Sequence, residues 1–154
     1  MRNDIPARRR IVVGVDGSPA SVVALAWAGG EARLRQAELH AVCAWEDVER
    51  CRAPYAGHRS LPSRQESRAA AGALLGTSVR AAFGQAPPHR LRAEVAEGRP
   101  ERVLLKRAVG AELLVLGSTR RAGYLPSTGP VQRACLRHAS CPVVFVGRRI
   151  RRTW

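Results

Sequence analysis

Apolar residues along this chain fall into short unbroken runs and helical repeats, and the two kinds alternate. Residues 11–16 (IVVGVD) open with a β-branched run, the mark of a strand buried on both faces. Gly17-Ser18-Pro19 breaks it, with Ser18 suited to cap a helix and Pro19 to sit in its first turn. Val23, Trp27, Gly30, Leu34 and Ala37 then recur at spacings of four and three, predicting a helix with that face inward. Glu31 and Arg35 pair one turn apart on its solvent side. Residues 39–45 (LHAVCAW) predict a second strand. Residues 46–64, with two prolines, a glycine and many charges, read as a loop.

The second half repeats the scheme. A helix over 65–84 places Leu75, Val79 and Phe83 on one side, and Pro87-Pro88 stops it. Residues 91–96 (LRAEVA) alternate like a half-buried edge strand. Gly98-Arg99-Pro100 starts a helix to about residue 109, and residues 112–117 (ELLVLG) form a fourth strand without alternation. A fourth helix sets Val131, Ala134, Cys135 and His138 on one face, expected to be buried. Pro142 ends it, and residues 143–147 (VVFVG) make the fifth strand. Strands alternating with helices predict an α/β fold: a five-stranded, parallel, doubly wound sheet with right-handed crossovers. A ligand then belongs at the carboxyl ends of the strands, near Asp16 and the loop that follows Gly117.

Length and composition fit one domain over 11–147, flanked by a basic extension (1–10) and a basic tail (148–154). The formal net charge is +14, and 25 of the 26 basic residues are Arg. Such charge points either to nucleic acid or an acidic partner, or simply to an Arg-favouring composition. The Arg side chains fall on every predicted helix and at both ends, so no binding stripe emerges and nucleic acid is the less favoured partner. The apolar run after Arg8–Arg10 is too short for a signal peptide, and no stretch reaches membrane-span length. The expected location is cytoplasmic, with Cys43, Cys51, Cys135 and Cys141 as free thiols.

Candidate chemistry concentrates in residues 117–146, where a strand end leads through a basic loop into a helix entered by Gly-Pro. A helix start after a parallel strand is an anion site in principle. Neither a Walker lysine motif nor a dinucleotide fingerprint occurs, and no nucleophile–base–orienter set stands out, so an enzyme is not expected beyond feeble ATP hydrolysis. Cys135, His138 and Cys141 have a C-x2-H-x2-C spacing but no nearby fourth ligand, so a zinc site is not expected.

Five segments in order, VVGVDGSPAS, LHAVCAW, EVAEGRPERVLL, AELLVLGS and HASCPVVFV, give the chain a resemblance to the universal stress proteins from Ile11 to Val146. The resemblance implies a flavodoxin-like sheet, a homodimer often joined through the last strand (143–147), and stress-linked regulation. One branch of that family binds ATP and the other does not. In the binding branch an Asp ending strand one reaches the ribose, which implies Asp16 here, and a strand-two Val lies on adenine, which implies Val42. The phosphates rest on a Gly-x2-Gly-x9-Gly-[Ser/Thr] loop.

Gly117 matches the first glycine, and Arg120 stands where the second should be. Gly129 comes one residue early, Pro130 replaces the Ser/Thr, and Val131 follows as in the family. Pro130 supplies neither an amide proton nor a hydroxyl. Losing two charge-assisted hydrogen bonds costs about 3–6 kcal/mol, roughly 10²–10⁴ in affinity, and Arg120 and Arg121 can restore part of it. The sequence-based expectation is a homodimeric regulatory domain with an altered, weak adenine-nucleotide (ATP) site. No metal is expected beyond a nucleotide-associated Mg. The alternative is an interaction protein without nucleotide, working through its dimer and the 46–64 loop on an unidentified protein partner.

Overall fold

A computed structural model describes residues 9–47, 61–118 and 129–147. Most of the basic extension and loop 46–64, together with Arg120, Arg121 and the 148–154 tail, lie outside them. Strands β1 (Arg10–Gly14), β2 (Glu38–Trp45), β3 (Leu91–Glu97), β4 (Leu113–Ser118) and β5 (Val143–Gly147) alternate with helices α1 (Pro19–Leu34), α2 (Arg64–Phe83), α3 (Pro100–Ala108) and α4 (Pro130–His138). The strands form one sheet in the order β3-β2-β1-β4-β5. All pairings are parallel, with Val12 beside His40 on one side and beside Leu114 on the other. This is the expected α/β sandwich, with β3 and β5 as its edges.

Each central strand sends alternate residues into two cores, as a period of two requires. Ile11, Val13, Leu39, Ala41, Leu113 and Val115 pack with Leu25 and Ala28 of α1 and Leu75 of α2. Val12, Val42, Leu114 and Leu116 pack with Val103 and Leu104 of α3 and Cys135 of α4. Most of these side chains are fully buried, each Val, Leu or Ile contributing about 1.5–3 kcal/mol. Both faces of the sheet are thereby covered, which is why the central strands read as unbroken apolar runs.

Local chemistry starts the helices where the sequence indicates. Ser18 caps α1 through its hydroxyl, and Pro19 follows in the first turn. Ser63 and Glu66 form a reciprocal capping box on α2, with Ser63 N–H donating to Glu66 Oε2 at 2.6 Å and Glu66 N–H to Ser63 Oγ at 3.2 Å. The Glu31–Arg35 pair forms at 3.0 Å.

Two faces differ from expectation. Helix α1 buries Ala20, Ser21, Ala24, Leu25, Ala28, Gly29 and Ala32, whereas Trp27 is 38% and Leu34 80% exposed. Gly30 is exposed too, and Ala37 lies beyond the helix. The helix runs so close to the sheet that, apart from Leu25, small side chains win the inner face. On α4, Cys135 is buried but His138 is exposed, because His138 is the helix's final residue. No helix among the described residues is long and apolar enough to cross a membrane.

A polar cluster lies under α3. His40 is buried and its Nε2 is 2.7 Å from Glu94 Oε2 on β3. Arg107 Nε donates to both Glu94 carboxylate oxygens at 3.1 Å. Arg10 Nη2 donates to the carbonyls of Arg107 and Val109, at 3.1 and 2.8 Å, tying the start of β1 to the end of α3. No local pattern signals this cluster, whose members come together only once β2 pairs with β3 and α3 docks on the sheet.

Candidate functional site

The chain reverses its direction of growth across the sheet between β1 and β4, and a cleft of about 210 Å³ opens there at the strands' carboxyl ends. Its polar wall is the turn from β1 into α1. Gly17 at φ 79° makes the turn, a conformation glycine adopts without strain. Asp16 Oδ1 accepts the Ser18 N–H at 2.9 Å. Ser18 Oγ in turn accepts the Ser21 N–H at 3.1 Å, and Ser21 Oγ donates to Ser18 O at 2.9 Å. Burial alone would raise the Asp16 carboxyl, but hydrogen bonds from Ser18 and then Ser21 outweigh it and hold it below its ordinary value of 3.8. Asp16 is therefore a fixed negative charge at neutral pH.

The apolar wall comes from the opposite elements. Val42 and Ala44 project from β2, Leu104 from α3, and Leu116 from β4. Val131 and Gln132 close the cleft from the first turn of α4. Asp16, Val42, Gly117 and Val131, expected from separate parts of the sequence, thus line one cleft. Gly129 and Pro130 stand at its α4 entrance, as N-cap and first helical residue.

Gly117 has a packing reason of its own. A Cβ there would lie 2.6 Å from the backbone carbon of Ala20 and 2.7 Å from Ser21 N. The backbone of α1 therefore passes directly against the end of β4. Gln132 is the residue that sequence reasoning missed. Its Nε2 donates to Gly117 O at 2.6 Å and its Oε1 accepts the Gly129 N–H at 3.2 Å. The available signal was the spacing Gly129-x-x-Gln132, since a Gln at the third helical position reaches back to the capping residue's amide.

The described thiols, Cys43, Cys135 and Cys141, are poor candidates for chemistry. Burial pushes Cys135 up to about 11, and burial likewise raises Cys43 and Cys141. Among the described residues, no group of three His, Cys, Asp or Glu is placed to hold a metal ion.

The class defined by fold and cleft is an open parallel α/β sandwich with a recess at its topological switch point. A model of the universal stress protein family matches residues 7–147, and the chain belongs to that family. It is 36% identical over 140 residues to universal stress protein Rv2005c of Mycobacterium tuberculosis, a match covering 90% of this chain and 45% of that protein. The chain thus spans about half the length of the curated relatives it matches. It is similar to a universal stress protein solved in complex with cAMP, at 25% identity and a TM-score of 0.64, covering 91% of this chain and 97% of that one. A universal stress protein from Archaeoglobus fulgidus shares the fold at 22% identity and a TM-score of 0.63, covering 90% of this chain and 98% of that one.

Proposed function

We propose that this chain is a stress-response regulatory domain that holds an adenine nucleotide in the β1–β4 cleft, with a weakened grip on triphosphate. The observation that carries the reading is the convergence of Asp16, Val42, Gly117 and Val131 on a single cleft at the switch point. Asp16 is the hydrogen-bond acceptor for the ribose, and Val42 with Leu104 and Leu116 forms the apolar bed for the base. The cAMP complex of a similar protein supports an adenine ligand. Pro130, at the first position of α4, has no amide to offer a phosphate. Arg120 and Arg121 are the side chains proposed to meet phosphate oxygens in its place.

Isothermal titration with adenine nucleotides tests this. Asp16→Ala is expected to weaken binding by about 10–100-fold, the worth of one hydrogen bond to a charged group. Unchanged affinity in that variant would remove Asp16 from the ribose contact, and no adenine nucleotide bound at millimolar concentration would remove nucleotide from the function.

The proposal extends to a homodimer through β5. That strand ends the sheet and is half-buried along its whole length, and a second copy would satisfy its unpaired backbone groups. Sedimentation is expected to give a species of twice the chain mass. A wild-type chain that sediments as a monomer would exclude the dimer.

A further inference from the structure

At both helices that open onto the cleft, some of the first amide groups are engaged within the chain and one is replaced by proline. At α1, Ser18 N–H is held by Asp16, Ser21 N–H is held by the Ser18 hydroxyl, and Pro19 has none. At α4, Gly129 N–H is held by Gln132 and Pro130 has none. An anion bound at a helix start relies on such donors. The Gln132 carboxamide also reaches Gly117 O at 2.6 Å, so a single side chain spans the gap from the end of β4 to the entry of α4. Its amide oxygen occupies the direction along which the Gly129 N–H would meet a phosphate oxygen.

Charge agrees with this. Among the described residues lining the cleft, Asp16 is the charged one, and its carboxylate repels phosphate while suiting sugar hydroxyls.

We propose that Gln132 is a specificity-determining residue. By seating its carboxamide between Gly117 and Gly129, it makes the cleft prefer a nucleoside or nucleoside monophosphate over a triphosphate. The inference rests on the adenine-nucleotide reading of the same cleft. It adds the ligand class and the side chain that selects it.

The test is titration of adenosine, AMP, ADP and ATP into the wild-type chain, Gln132→Ala and Gln132→Glu. Wild type is expected to bind AMP at least tenfold more tightly than ATP, on the scale of one lost charge-assisted hydrogen bond. Gln132→Ala frees the Gly129 amide and should raise the ATP-to-adenosine affinity ratio on the order of tenfold. Gln132→Glu keeps the cap, adds a negative charge, and should lower that ratio. A purely structural role for Gln132 would move melting temperature and all four affinities together, leaving the ratio where it was. Wild-type binding of ATP as tight as AMP, or a ratio unchanged in both variants, overturns the role of Gln132 while leaving the nucleotide site intact. Failure of all four ligands to bind wild type overturns the site itself, and the inference with it.

Discussion

Replacing Gly117 by alanine is expected to destabilise the protein by about 3 kcal/mol and lower its melting temperature by roughly 6–12 °C. The added methyl would sit 2.6 Å from the Ala20 backbone carbon and 2.7 Å from both Ala20 O and Ser21 N. Real Cβ atoms do not approach backbone this closely, and a backbone cannot rotate aside as a side chain can. The start of α1 has to move, taking Asp16 and Ser18 with it, so adenine-nucleotide affinity should fall in the same variant. Gly30→Ala is the control. Nothing lies within 4 Å of a Cβ at that exposed helical position, so it is expected to stabilise by up to about 1 kcal/mol. Thermal unfolding of the two variants decides the matter. Equal and small shifts would mean that α1 does not press on β4 as described.

The second large effect is expected at Glu94. Removing one partner of a buried ion pair costs about 3–5 kcal/mol. Glu94 and Arg107 retain 19% and 29% side-chain exposure, and that hydration reduces the expected cost of Glu94→Ala to about 2 kcal/mol. His40 Nε2 would lose its partner, and His40 Nδ1 already has none.

The same cluster sets an acid limit on stability. Burial holds His40 below its ordinary 6.5, aided by the charges of Arg92 and Arg10 and opposed by Glu94. The unfolded chain therefore takes up that proton first, and stability falls as pH drops below about 6.5. Hydrogen bonds from Arg107 first, then from His40, hold Glu94 down to about 2 against the opposing effect of its burial. Its contribution is complete above its ordinary 4.5 and is lost between there and about 2. Urea unfolding across this range should show both stages in wild type. Glu94→Ala should lose the lower stage and steepen the upper one, since the opposing pull on His40 is gone. A variant with the wild-type pH profile would disprove the coupling.

How much of this was legible beforehand depended on the distance over which each feature is decided. The strands followed from unbroken runs such as 11–16 and 112–117, and the edge position of β3 from its alternation, because burial on two faces or one acts on neighbouring residues. The inner face of α1 did not follow. Val23, Trp27 and Leu34 carry more apolar surface than Ala24, Ala28 and Ala32, and hydrophobicity alone favours the larger set. Close approach of α1 to β4, which Gly117 permits, favours small side chains over most of that face, with Leu25 as the large residue among them. His138 continued the inward spacing of α4, yet the helix ends on it and the side chain stays in solvent.

The candidate site divides along the same line. Asp16 and Gly117 stood out at strand ends, and Pro130 was recognisable by its missing amide, all from local sequence. Gln132 was not noticed, because its significance lies in a carbonyl 15 positions back at Gly117. Glu94 meets His40 across 54 positions and Arg107 across 13, contacts that exist only once β2 has paired with β3 and α3 has docked beneath them. By itself the sequence determined the order and kind of elements, the helix starts and the absent Pro130 amide, since these depend on period and backbone chemistry within a few residues. The tertiary structure alone decided which helix face turns inward, which amides are already engaged at the cleft, and which charges are buried together. Packing distance and the pairing of distant donors and acceptors are properties of the assembled chain.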